Sequence, residues 1–213
     1  MILLAFATMI EAQPFIDYHR LTRQHTSSLY TVYEGDNISL IITGMGALKG
    51  AVYLSEIIQQ KKLTGHPVTE VINYGVAGCV CDTLSLGEIV VVDKVIKYDS
   101  VEFSKPQPNK YFSSSFPDIT LTLKRKDITI LATSDHPIFT EDEAHRVAQH
   151  AHLVDMEGYG YAFAAHGHGI PIQLVKGISD FAYKESEQSF KKIMKRVLKE
   201  LLSFHRTSKA LTE

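Results

Sequence analysis

A chain of 213 residues, 45 % hydrophobic and 22 % charged, has the composition of an ordinary globular protein and enough apolar surface for one domain over residues 1–213. Its formal net charge of −2 argues against a binder of phosphate backbones, which needs a large basic excess. No apolar run reaches membrane-spanning length, so neither a nucleic-acid nor a membrane role is expected.

The first residues, MILLAFATMIEAQPF, are apolar but lack a basic lead and meet Glu11 too early for a signal peptide; residues 2–7 read as a buried strand. SLYTVY and ISLIITG flank the turn-rich EGDN and predict a hairpin over 28–44. GALKGAVYLSEIIQQKKL follows with helical spacing, ending in Lys61, Lys62 and Gly65. TEVINYG (69–75) is a short strand running into a glycine bend. EIVVVDKVIKYD (88–99) is the most β-branched segment and reads as one strand. Residues 103–120, rich in proline, serine and aromatics without periodicity, read as a long, partner-facing loop. ITILATS (128–134) is a strand, and TEDEAHRVAQHA a helix with Thr140 as N-cap. HLVDM, EGYGYAFAAHGHG and IPIQLVKGIS then read as strand, helix and strand. In the last helix Phe190, Ile193, Met194, Val197, Leu198, Leu201 and Leu202 recur at helical spacing, with lysines on a solvated face. Strands alternating with helices predict a three-layer α/β/α sandwich with a central mixed β-sheet.

Cys79 and Cys81 are too close together to staple a fold, and Cys-x-Cys is not a usual zinc spacing, which points to a reduced, cytoplasmic protein. GMGALKG lacks the third glycine of a dinucleotide fingerprint and the Gly-Lys-Ser/Thr of a P-loop, and remains a turn that brings backbone amides near a ligand. NYGVAGCV (73–80) is a second small-residue turn, read either as close packing or as a flat wall for a planar or sugar ligand. His166 and His168 of HGHG read as a surface pair, because no further ligands stand at metal spacing. Asp155 and Glu157 at a strand-to-helix junction serve either the helix dipole or the hydroxyls of a ribose. Glu11, Glu157 and Asp180 each sit just past an apolar strand, where ligands bind in open α/β folds.

VINYGVAG, VDMEGYGYAFAA and VKGISD, in this order and spacing, resemble the nucleoside phosphorylase and nucleosidase superfamily. The nearest branch is the bacterial 5′-methylthioadenosine/S-adenosylhomocysteine nucleosidases with the related futalosine hydrolases. The likeness runs from Glu11 to the last helix. It implies that Asp180 is the general acid protonating N7 of a purine, oriented by Ser179, and that Glu11 holds the attacking water. Met156 and Glu157 would bind the ribose. Ile138 or Phe139 would stack on the base, Ala77 and Gly78 would line sugar and purine, and Phe190 would lie near the base or the 5′ substituent.

Phosphorylases of this kind need cations for phosphate, yet Asn73 and Val76 stand where they carry an arginine and a hydroxyl residue, so water is favoured as nucleophile. Lys176 replaces the arginine usual in the nucleosidases, a possible support for the water or the acid, and Val76 replaces a serine; both fit a changed substrate. The resemblance implies hydrolysis of a 5′-modified purine nucleoside by a homodimer, with the 103–116 loop as a candidate for partner contacts, and no metal or organic cofactor. Alternatives are a futalosine hydrolase, a phosphate-dependent phosphorylase, and a non-catalytic nucleoside-binding protein.

Overall fold

Successive side chains of a strand point to opposite faces, and in β1 (Ile2–Phe6) Leu3 and Ala5 enter one apolar cluster while Leu4 and Phe6 enter another. A strand buried on both faces must be covered twice, and the rest of the chain supplies the two covers. The computed structural model describes residues 1–24, 27–99, 117–121, 128–182 and 187–209. After β1 come α1 (Met9–His19), β2 (Thr22–Arg23), β3 (Thr31–Glu34), β4 (Ile38–Ile42), α2 (Ala47–Leu63), β5 (Glu70–Cys79), β6 (Ile89–Val91) and β7 (Lys94–Lys97). Then follow β8 (Ile119–Thr120), β9 (Ile130–Thr133), α3 (Glu141–Ala148), β10 (Leu153–Asp155), α4 (Gly158–Gly167), β11 (Ile172–Phe181) and α5 (Glu187–Lys209).

The strands form one mixed sheet in the order β2-β3-β4-β1-β5-β10-β9-β7-β8, with β11 paired to both β5 and β6. The expected hairpin is β3–β4, antiparallel from Thr31↔Ile42 to Glu34↔Ser39. Helices α2 and α4 cover the face of Leu3 and Ala5, with Leu54, Ile57, Tyr161 and Ala165 in that cluster. Helices α1 and α5 cover the other face through Phe15, Val197, Leu198 and Leu201. Helix α3 closes the far end with Ala144 and Val147 against Ile96 and Ala132. The expected α/β/α layering is what forms, because both strand faces are apolar.

Three segments differ from the sequence reading. The β-branched run 88–99 is two strands: β6 pairs antiparallel with β11 and β7 parallel with β9, and the chain changes partners where Val92 N–H donates to Leu174 and Asp93 N–H to Thr129. Strand β5 does not bend at Gly75 but continues through Gly78 to Cys79, because β11 and then β10 pair with its second half. Residues 9–19 are a helix that contains Pro14, a residue that masks helical pattern, so Glu11 lies within a helix rather than past a strand. The loop expected over 103–120 falls outside the described residues up to 116.

Helices α2 and α4 approach closely. A Cβ at Gly160 would lie 2.1 Å from the Ala47 carbonyl oxygen, so the backbones themselves are in contact there. Gly160→Ala forces the helices apart and is expected to cost about 1–3 kcal/mol, measured as a lower denaturant midpoint.

Candidate active site

Strand β11 is buried from Leu174 to Ile178 and apolar there except for Lys176, then breaks register: Ile178 pairs with Ala77 and Asp180 with Gly78, leaving Ser179 as the extra residue of a β-bulge. A bulge re-aims the side chains that follow it, and this one turns Asp180 into a cleft beside β5. Ser179 Oγ donates to Asp180 Oδ2 at 2.6 Å. Gly78 leaves the room required, since a Cβ there would meet Asp180 Oδ1 at 3.0 Å and Val154 at 3.1 Å. The expected role of NYGVAGCV as a turn is corrected: it is a strand whose small residues admit the carboxylate.

Glu11 is built by a capping box. Thr8 caps α1, its Oγ accepting from Glu11 N–H at 3.3 Å, while Glu11 Oε2 accepts from Thr8 N–H at 3.0 Å and from Thr8 Oγ–H at 2.7 Å. The other oxygen, Oε1, accepts from Val76 N–H at 3.1 Å. With 6 % exposure and donors on both oxygens, this carboxylate is held in one orientation.

A buried ion pair joins the cleft lining at Asp155 to Lys176 behind it. Lys176 Nζ meets Asp155 Oδ2 at 2.9 Å, both side chains being 2 % exposed. Asp155 also accepts from Thr133 Oγ–H at 2.6 Å and from Gly158 N–H at 2.8 Å, so it serves the start of α4 as well as the lysine. Lys176 and Glu11 Oε1 both border the space a Cβ at Gly75 would fill, which brings the ammonium close to the Glu11 carboxylate. Glu157 Oε1 accepts from Gly46 N–H at 2.8 Å. The glycine turn of GMGALKG, with Gly44 and Gly46 at positive φ, thus aims an amide at a protein carboxylate rather than at a ligand. Burial, reinforced by the charge of Asp155, pushes the Glu157 carboxyl up to about 7 against the pull of the Gly46 amide and Lys176.

The cleft measures about 330 Å³. Of the residues expected from sequence it brings together Glu11, Ala77, Gly78, Ile138, Met156, Glu157, Ser179 and Asp180. Phe139 is corrected: it is 75 % exposed and does not line the cleft, whereas its neighbour Ile138 is buried and does. Lys176 lies below the wall rather than on it. The side chain of Phe190 lies outside the described residues. Sequence reasoning missed Thr8, Met45, His136 and Met194, which also line the cleft. The Thr8-x-x-Glu11 spacing of a capping box was available as a signal for the first; the others come together only in the fold. His136 is held by Glu143 Oε1 at 2.8 Å from Nε2 and Ser134 Oγ at 3.2 Å from Nδ1. His168 of HGHG bonds Ser55 Oγ on the surface, away from the cleft.

Two carboxylates with fixed orientation and a third of raised pKa, set among apolar walls, suit acid–base chemistry on a small polar molecule with hydroxyls. Comparison with known proteins agrees with this picture. The family model of the phosphorylase superfamily matches residues 3–208. The 5′-methylthioadenosine/S-adenosylhomocysteine nucleosidase of Marinomonas sp. (strain MWYL1) is 26 % identical over 183 residues, 76 % of each chain. Its counterpart in Staphylococcus aureus (strain JH9) is 24 % identical, over 72 % of this chain and 73 % of the relative. Among solved structures, the corresponding nucleosidase of Helicobacter pylori superposes with a TM-score of 0.83 at 17 % identity, covering 97 % of this chain and 96 % of its own. The futalosine hydrolase of the same organism, strain 26695, superposes with a TM-score of 0.81 at 17 % identity, over 95 % of each chain. These two likenesses concern the fold, while the family model, matched over almost the whole length, places the chain in the phosphorylase superfamily.

Proposed function

We propose that this protein is a purine nucleosidase that hydrolyses the N-glycosidic bond of a 5′-modified purine nucleoside, of the 5′-methylthioadenosine/S-adenosylhomocysteine type, to free base and ribose derivative. The observation that carries the reading is the meeting of Asp180, Glu11, Met156 and Glu157 on one cleft. Asp180, oriented by the Ser179 hydroxyl, delivers a proton to N7 of the base, which then leaves neutral as C1′ becomes cation-like. Glu11, fixed by three donors from Thr8 and Val76, holds the attacking water on the sugar. The Glu157 carboxylate accepts hydrogen bonds from the ribose hydroxyls and Met156 packs beneath the ring, while Ala77, Gly78 and Ile138 form the apolar wall for the base.

Water rather than phosphate is favoured by the charge of the walls: among the described residues lining the cleft there is neither lysine nor arginine. Asn73 turns its amide to the Ala5 and Tyr74 carbonyls, and the Val76 N–H is already taken by Glu11. Lys176 is committed to Asp155. A phosphate dianion would find no guanidinium fork here.

Base release from methylthioadenosine, adenosylhomocysteine, futalosine, adenosine and inosine, followed by chromatography with and without phosphate, tests the assignment. Adenine from the first two without phosphate is the expected result. Hypoxanthine from futalosine alone would make the protein a futalosine hydrolase, strict phosphate dependence a phosphorylase, and thermal stabilisation without turnover a binding protein.

The raised pKa of Glu157 predicts a pH dependence. The folded chain keeps this proton up to about 7, while the unfolded chain releases it near the ordinary 4.5, so folding takes up a proton in between. Stability from this group is present in full at and below the lower value and is lost as pH rises through the upper one. Denaturant midpoints across that window should fall for the parent and stay flatter for Glu157→Gln. Nucleoside affinity should run the other way, rising as Glu157 ionises, since a carboxylate accepts from both hydroxyls.

The working form is a homodimer in the cytoplasm. The exposed apolar side chains of Met9, Ile10, Met45, Leu48 and Val52 support the first, with Met45 also on the cleft, so a second copy would cover the substrate's 5′ end. Two free cysteines support the second, and no described helix is long and apolar enough to cross a membrane.

A further inference from the structure

Strand β5 ends at Cys79, and two residues later Cys81 returns to the same side of the chain. The Sγ atoms stand 3.7 Å apart. Cys79 is buried and its thiol donates to the Cys81 carbonyl at 3.2 Å, whereas Cys81 is partly exposed with its sulfur 3.3 Å from Thr83 Oγ. Among the described residues no group of three His, Cys, Asp or Glu could hold a metal. Neither thiol has a part in the proposed hydrolysis.

We propose that Cys79 and Cys81 are a redox-active dithiol that closes a reversible intrachain disulfide. The sulfurs close from 3.7 Å to a bonding distance of about 2 Å as the Cys79 thiol leaves the Cys81 carbonyl and the two residues draw together. The oxidant is a low-molecular-weight disulfide, R–S–S–R. The Cys81 thiolate attacks one of its sulfurs, forming a mixed disulfide and expelling RS⁻. The Cys79 thiol then passes its proton to that thiolate and attacks Cys81 Sγ, forming the protein disulfide and expelling a second RS⁻, which solvent protonates. Two protein thiols are oxidised and one small disulfide is reduced to two thiols. The order follows from the surroundings: Cys81 is reachable from solvent, and burial pushes the Cys79 thiol up to about 12, which makes it the resolving group.

The bond bears on the cleft. Cys79 pairs with Phe181 and accepts from Ala182 N–H at 3.1 Å, one step along the ladder from the Gly78–Asp180 pair. Drawing Cys79 toward Cys81 strains that pairing and shifts Asp180, so the oxidised form releases base more slowly. This second consequence rests on the hydrolase reading; the thiol chemistry does not.

The test equilibrates the full chain, Cys81→Ser and Cys79→Ser in mixtures of oxidised and reduced glutathione, then alkylates under denaturing conditions and weighs the intact protein. The parent should lose both thiols without carrying an adduct, and dithiothreitol should restore them. Cys81→Ser should keep its thiol free, and Cys79→Ser should hold a lasting glutathione adduct. A parent that stays fully alkylatable, or that carries a stable adduct on Cys81, overturns the disulfide. Turnover measured on the same samples should be several-fold lower in the oxidised parent and recover on reduction. Equal turnover in both forms overturns the coupling to Asp180. Absence of turnover in both would instead count against the hydrolase reading, with the mass result still deciding the disulfide.

Discussion

Asp180→Asn is expected to slow base release by about 10²–10⁴-fold while leaving the fold and nucleoside binding in place. The amide is nearly isosteric with the carboxyl, keeps an oxygen to accept from Ser179 Oγ, and sits in the same space beside Gly78. What it loses is the transferable proton. Without protonation at N7 the base must depart as an anion, and the positive charge gathering at C1′ has no compensating neutral leaving group. Single-turnover base release combined with ligand-induced thermal stabilisation separates the two effects: the first should collapse and the second persist. A variant that turns over normally would show that another group supplies the proton, and one that no longer binds would assign Asp180 to recognition.

Lys176→Met is the substitution expected to cost the most stability, about 3–5 kcal/mol, because it leaves the Asp155 carboxylate buried without its cation. Asp155 keeps the Thr133 hydroxyl and the Gly158 amide, and neutral donors do not offset a whole charge in a site where both side chains are 2 % exposed. The loss is read as a drop in denaturant midpoint. Asp155→Asn introduced together with Lys176→Met should recover part of it, since the stranded charge is then gone. A midpoint for Lys176→Met near that of the parent would mean that Asp155 takes up a proton at little cost. The same variant also informs the chemistry, because Lys176 and Glu11 both lie beside Gly75: base release should fall beyond what instability explains. In the sequence this lysine stood out as a departure from the arginine of the nucleosidases. In the fold it is a buried point charge matched to one oxygen of an aspartate.

Much of this molecule was legible in one dimension. The i, i+3, i+4 recurrence from Ile193 to Leu202 marks α5, Thr140 marks the start of α3, and the apolar run before Ser179 marks a buried strand. Each of these signals is local: a cap, a period, a stretch of β-branched residues. Where local signals conflict with the fold, they mislead. Pro14 hid α1, although the Thr8-x-x-Glu11 box was in view, and the continuous β-branching of 88–99 hid the change of partner at Val92 and Asp93. Strand pairing depends on which neighbour lies alongside, and that is not written in the strand itself.

The candidate site divides along the same line. The family resemblance carried by VINYGVAG, VDMEG and GISD implied roles for Asp180, Glu11, Met156, Glu157 and Ser179, because residue type and chain position survive in a sequence read alone. Which of Ile138 and Phe139 faces the cleft, the bulge that aims Asp180, the amide of Gly46 on Glu157 and the burial of Lys176 against Asp155 were decided only in three dimensions. Orientation, burial and the resulting pKa of Glu157 are sums over neighbours remote in the chain, such as Gly46 and Lys176. The sequence by itself determined the layered α/β class and the chemical identity of the groups at the strand ends; the tertiary structure determined which of them share one cleft and in what charge state they meet there.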